Sequence, residues 1–174
     1  LPMSQSAKPV APQRYRETFG RYYEDFIVGD VYEHRPGRTI SETDNTWFTL
    51  LTMNTHPLHF DAEYGKASEF GKCIVASPLT LAILVGMSVT DVSQKAIANM
   101  GWKDIRMTAP VFAGDTLYGE SEVLEKRESK SRPTAGLVTV RTIGKNQDGK
   151  IVCEFERTVL VAKRGHAVED KMNY

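Results

Sequence analysis

Residues 73–90 read CIVASPLTLAILVGMSVT and carry no charged side chain. The stretch is short for a membrane span and contains a proline, a glycine, two serines and two threonines, so it reads as a helix buried in protein rather than in lipid. Ser77-Pro78 makes a helix start, with an N-cap hydroxyl and proline at the first helical position. Leu79, Leu81, Ala82, Ile83, Leu84 and Val85 make the first turns apolar on every side, while Asp91, Ser93, Gln94 and Lys95 make the later ones amphipathic. The pattern predicts one helix from residue 77 to about 99. A helix that is apolar all round must be covered all round by protein.

The cover is written on both sides of it. Downstream, β signals occupy residues 102–108, 116–127, 136–145 and 151–162, with Val138, Val140 and Thr142 alternating against Thr139, Arg141 and Ile143. Asn146-Gln147-Asp148-Gly149 closes a hairpin between the last two. Upstream, a strand over 30–40 follows the Val28-Gly29-Asp30 turn, and Ser41-Glu42-Thr43-Asp44 is a capping box that opens a helix to about residue 53. Trp47, Leu50, Leu51 and Asn54 give that helix an apolar face, Pro57 ends it, and a short helical piece follows over 61–68. One long buried helix followed by four consecutive strands is an α+β pattern, an antiparallel sheet wrapped around one long central helix. A layer over the outer sheet or a partner chain is then expected, as a homodimer or a dimer of dimers.

At 174 residues the chain is one domain, read as an N-terminal extension over 1–20, the domain proper over 21–164 and a tail over 165–174. Its 41% apolar residues suffice for a core. The 22 basic residues cancel the 22 acidic ones, which leaves no excess to bind a nucleic-acid backbone. The N-terminus lacks the basic and apolar regions of a secretory signal. Cys73 and Cys153 stand apart with neither zinc-ligand nor disulfide-scaffold spacing, so a reducing cytoplasm is the expected compartment. Zero net charge hides an asymmetry, because residues 41–70 hold five acids against one base and residues 126–171 hold eleven bases against six acids.

The densest reactive group is Asn54-Thr55-His56-Pro57-Leu58-His59-Phe60-Asp61, at a helix end where a proline forces the chain to turn. Histidines there exchange protons near neutral pH, as general acid–base catalysis requires. Two other readings stand beside it: the imidazoles cap the helix C-terminus, or His56, His59 and Asp61 ligate a metal, for which no ligand spacing speaks.

Asn54-Thr55-His56-Pro57-Leu58-His59 resembles the D-x-N-P-[LIV]-H signature of the MaoC-like dehydratases, the R-specific enoyl-CoA hydratases. Matching pieces stand around it in the family's order: YEDFIVGD over 23–30, RTISETD over 38–44, Phe70-Gly71, and PVFAGDTL over 110–117. The resemblance covers about 22–163. It implies a hot-dog fold, a homodimer, and reversible addition of water to a trans-2-enoyl-CoA, with CoA as part of the substrate and no separate cofactor or metal. In the family, Asp and His of the signature flank one water, and a backbone amide at the start of the central helix, here Ala76-Ser77, polarises the thioester carbonyl. That role is sound physics, since free N–H groups meet a developing enolate there.

Two positions depart from the signature: Asn54 stands at the family's Asp and His56 at its Asn. His59 is the acid–base residue carried over unchanged. The first expectation is that His56 supplies the second proton-transfer group while Asn54 orients the water. A second is an acyl-CoA-binding protein without turnover. In a third, the carboxylate of a branched C5 dicarboxylyl substrate, mesaconyl- or itaconyl-CoA, lends help. A hot-dog thioesterase is the rival of a different class. Arg127, Lys130 and Arg132 are candidates for the CoA phosphates, against a solvated hairpin tip. Arg38 and Arg106 are alternatives for a substrate carboxylate.

Overall fold

The computed structural model describes residues 7–172 and 174. A hairpin of β1 (Ala7–Ala11) and β2 (Arg14–Glu17) stands apart from the main sheet. The main sheet has five antiparallel strands: β3 (Val31–Thr39), β4 (Ala96–Met107), β5 (Thr116–Glu128), β6 (Ala135–Lys145) and β7 (Ile151–Ala162), ordered β3-β5-β6-β7-β4. Three helices precede β4: α1 (Glu42–Leu51), α2 (Ala62–Ala67) and α3 (Ser77–Met87). A short α4 (Val168–Lys171) ends the chain. This is the expected hot-dog architecture, with α3 laid on the sheet through buried Leu79, Thr80 and Leu84; the all-round cover expected of it is incomplete within one chain, since Ala82 and Gly86 are exposed.

The capping box folds as the sequence predicts. Asp44 N–H donates to Ser41 Oγ at 3.1 Å, and Ser41 N–H donates to Asp44 Oδ2 at 2.8 Å. The Ser41 amide holds the Asp44 carboxyl below the usual carboxylate range; burial works the other way, and the Ser41 hydroxyl and Arg38 add to the lowering. A depressed carboxyl stabilises the fold at pH values above its unfolded pKa of about 3.9, and the gain is lost as pH falls through the folded value. Asp44→Ala is expected to cost about 1 kcal/mol at neutral pH. Urea titrations should show that deficit shrinking to nothing in strong acid; a deficit independent of pH would assign the effect to something other than the ionised cap.

α1 does not present the predicted face to the core. Trp47, Leu50 and Leu51 are 63%, 71% and 76% exposed, and the residues buried are Asn45 and Thr49. The helix is seated by the polar bonds of Asn45 and by half-buried Phe48, which packs against the cluster around Ile40, while the Trp47, Leu50 and Leu51 stripe is left uncovered.

The central helix is also shorter than its pattern predicts. It stops at Met87, passes through a π-helical turn over Val89–Ser93, and β4 begins at Ala96 rather than 102. Of the polar residues read as making the later turns amphipathic, Asp91 and Ser93 are tied into the interior, while Gln94 is exposed. Asp91 Oδ2 lies 2.7 Å from His34 Nδ1, His34 Nε2 lies 2.7 Å from Ser121 Oγ, and Ser121 Oγ lies 2.7 Å from Thr142 Oγ1. Buried Arg157 donates to Ser88 Oγ and Ser93 Oγ. Burial raises the Asp91 carboxyl, but hydrogen bonds from His34 and Arg21 outweigh it and hold the group below its ordinary value. The inward polar groups lie beside two apolar clusters, Ile40, Leu79, Leu84, Leu117 and Phe155 in one, Phe26, Val92, Val123, Val138 and Val159 in the other.

Candidate active site

The site is built where α1, the loop after it and the start of α3 meet. A 3-10 turn over Pro57–His59 has His56 as its N-cap, and His56 Nδ1 accepts the Leu58 N–H at 3.2 Å. In the neutral ring the proton therefore sits on Nε2. His59 is wired in the opposite sense. Its Nδ1 lies 2.9 Å from the Ile74 carbonyl oxygen, which only accepts, so Nδ1 carries the proton and Nε2 offers a lone pair. The rings are 5.8 Å apart, and Tyr64 packs edge-on against His56 at 5.8 Å. One imidazole thus presents an N–H and its neighbour a base. Asn54 is half-buried, and its Oδ1 accepts the His56 backbone N–H at 3.1 Å. Asp61, the third group of the metal reading, caps α2 by accepting the Glu63 and Tyr64 amides.

The start of α3 differs in detail from the expectation. Ala76, not Ser77, is the N-cap, and its N–H is taken by Asn45 Oδ1 at 2.9 Å. Pro78 has no N–H, and Leu79 and Thr80 both donate to Ala76 O, at 2.9 and 3.3 Å. Ser77 N–H is thus the amide of the first turn with no partner among the described residues, and Ser77 is exposed. Of the predicted pair, Ser77 is left able to polarise a carbonyl and Ala76 is not.

The basic run lies elsewhere. Lys126 turns inward and donates to the carbonyls of Tyr23, Glu24 and Phe26. Arg127 sits opposite Leu137, beside Glu125, Thr139 and Glu156, while Lys130 and Arg132 are at the exposed β5–β6 tip. The site is at the Thr116 end of β5, because Ile40, just before α1, bonds Asp115, and Val75 bonds Val111. At about 3.3 Å per residue, roughly 40 Å of strand separates that end from the tip. One chain does not bring Arg127, Lys130 and Arg132 to His59. Arg38 pairs with Asp44 at 2.8 Å and Arg106 with Glu154 at 4.0 Å. A cavity of about 1130 Å³ lies between the N-terminal hairpin and the tail; two of its cations are paired within it, Lys95 with Glu169 and Arg164 with Asp25.

One residue that the sequence reading passed over joins these parts. Asn45, buried in α1, donates through Nδ2 to His59 O at 2.9 Å and to Ile74 O at 3.0 Å. In the sequence it is one polar residue in the first turns of a helix, with nothing to mark it.

A family model described as mesaconyl-CoA hydratase matches residues 11–173. The mesaconyl-CoA hydratase of Cereibacter sphaeroides is 35% identical over 148 residues, which are 85% of this chain and 43% of that protein. The β-methylmalyl-CoA dehydratase of Chloroflexus aurantiacus is 35% identical over 145 residues, 83% of this chain and 41% of that one. The chain spans about two fifths of the length of these curated relatives. Among solved structures, a monoamine oxidase regulatory protein of Archaeoglobus superposes with a TM-score of 0.74 at 36% identity, over 83% of this chain and 95% of that one.

Proposed function

The chain belongs to the mesaconyl-CoA hydratase family, within the MaoC-like hot-dog proteins, and on that footing we propose that it adds water reversibly to a 2-enoyl-CoA thioester, a branched C5 dicarboxylyl-CoA such as mesaconyl-CoA. The observation that carries the chemistry is the pair of opposed tautomers at His59 and His56. His59 Nε2 takes one proton from a water, whose oxygen bonds to C3 of the enoyl group. The C2–C3 π electrons move toward the thioester carbonyl, and its oxygen is met by Ser77 N–H at the positive end of α3. The His59 imidazolium then returns the proton to C2. His56 gives the water oxygen a hydrogen bond through Nε2–H, and Asn54 orients the same water through its carboxamide. A neutral imidazole N–H is a donor of hydrogen bonds rather than of whole protons, so His59 handles both transfers. This narrows the role expected of His56.

The working form is a homodimer in the cytoplasm. Support comes from the uncovered stripe of α1 and from the edge strand β4, where Met100, Trp102 and Ile105 are exposed. Any contact of Arg127, Lys130 or Arg132 with CoA phosphates would come from the second copy.

Purified protein with crotonyl-, mesaconyl- and itaconyl-CoA tests the reading. Loss of enoyl absorbance without free thiol is the expected result. Released thiol would make the protein a thioesterase, and binding with neither signal would make it an acyl-CoA-binding protein. Sedimentation should give twice the chain mass at micromolar concentration.

A further inference from the structure

We propose that Asn45 is the positioning residue that locks His59 in its base tautomer and fixes it against the start of α3, through a single buried carboxamide. The inference rests on the reading of His59 as the base. Every hydrogen-bonding position of the Asn45 side chain that the fold uses leads to the site. Nδ2 bridges two carbonyls, one belonging to His59 itself and the other, Ile74 O, being the acceptor of the His59 ring proton. Oδ1 holds Ala76 N–H, next to the unpartnered amide of Ser77.

The consequences follow from geometry. Imidazole in water prefers its proton on Nε2, the tautomer that would point an N–H, not a lone pair, at a substrate water. Ile74 O reverses that preference, because an accepting oxygen at 2.9 Å demands the proton on Nδ1. The carbonyl can do so only while it stays in place. Ile74 N–H is bonded to Leu58 O at 3.2 Å, and Asn45 supplies the second restraint, on the oxygen itself. Because the same nitrogen also holds His59 O, ring and acceptor move together or not at all. The opposite end of the amide ties this unit to the N-cap of α3, so base and carbonyl-polarising amide share one rigid frame. Asn45 is buried, so no water competes for these bonds.

Asn45→Asp separates this role from simple packing. It keeps the shape and the acceptor for Ala76 N–H, but replaces the donor with a carboxylate oxygen that faces two carbonyls. The first measurement needs no substrate: long-range ¹H–¹⁵N spectra of the His59 ring in the free protein. In the wild type the Nδ1–H tautomer is expected to dominate, and in Asn45→Asp the ring should return toward the Nε2–H form. Turnover of the variant should fall by tens of fold with KM within about threefold of wild type, the pattern of a displaced reacting group rather than of lost binding. A wild-type ring with its proton on Nε2 would overturn the proposal outright. So would a folded variant that keeps the wild-type tautomer and kcat. Should Asn45→Asp not fold, Asn45→Ser, which retains one hydroxyl at shorter reach, and the wild-type spectrum decide the matter. If the spectra behave as expected but no enoyl-CoA is hydrated, the locking role stands and the hydratase reading falls.

Discussion

Replacement of His59 by alanine is expected to lower kcat for enoyl-CoA hydration by about a hundredfold to ten-thousandfold, the scale of a positioned general acid–base group. In the proposed cycle the ring both removes the proton from water and returns it to C2, and neither His56 nor Asn54 offers a base in its place. The Nδ1 of His56 is spent on Leu58 N–H, and Asn54 is an amide, which does not accept a proton at neutral pH. The fold should survive the change. The ring makes one hydrogen bond, to Ile74 O, and that oxygen keeps Asn45 Nδ2 as a partner when the ring is gone. KM should therefore stay close to wild type, and circular dichroism should be unaltered. A variant that turns over at the wild-type rate would remove His59 from the mechanism and with it the account of the paired tautomers.

The elements that sequence reading placed well are those whose signals are local. Ser41 and Asp44 are three residues apart and satisfy each other, so the start of α1 is written in the chain itself. The same holds for the hairpin at Asn146, whose Oδ1 accepts the amides of Asp148 and Lys150. The end of α3 is different. Gly86 lies inside the last turn rather than beyond it, no proline follows closely, and the periodicity runs on past Met87. What stops the helix is distant: Asp91 answers to His34 and Arg21, and Ser88 and Ser93 answer to Arg157. Residues 57 to 70 positions apart in sequence set the backbone there. The site divides in the same way. His59 and Ser77 stand out as candidates because the signals that single them out, a His-Pro-Leu-His turn and a Ser-Pro helix start, are local. Asn45 is not, because its value lies in three partners 14 to 31 residues away. The α1 stripe misled for a related reason, since periodicity reports an apolar face and cannot say whether the same chain covers it.

The seating of α3 is where the largest loss of stability is expected. Leu84 is fully buried in the cluster with Leu117 and Phe155, and its side chain fills notches left by two glycines on neighbouring strands. A methyl group on Gly144 of β6 would come within 2.3 Å of Leu84 Cδ1, and one on Gly119 of β5 within 3.5 Å of Cδ2. Leu84→Ala should cost about 3–5 kcal/mol, since strands held in a sheet cannot collapse into the space the side chain leaves. Gly144→Ala alone should cost about 1–3 kcal/mol, because the leucine must leave its rotamer in a packed interior. The two losses have one cause seen from opposite sides. With the leucine gone, the alanine methyl enters vacated space and restores contacts, so the double variant should be more stable than the sum of the single losses by about 1 kcal/mol or more. Urea unfolding of the four proteins measures this coupling. Losses that add within the error of the cycle would mean that the notch at Gly144 does not hold Leu84, and that α3 is kept in place chiefly by the polar bonds at its two ends.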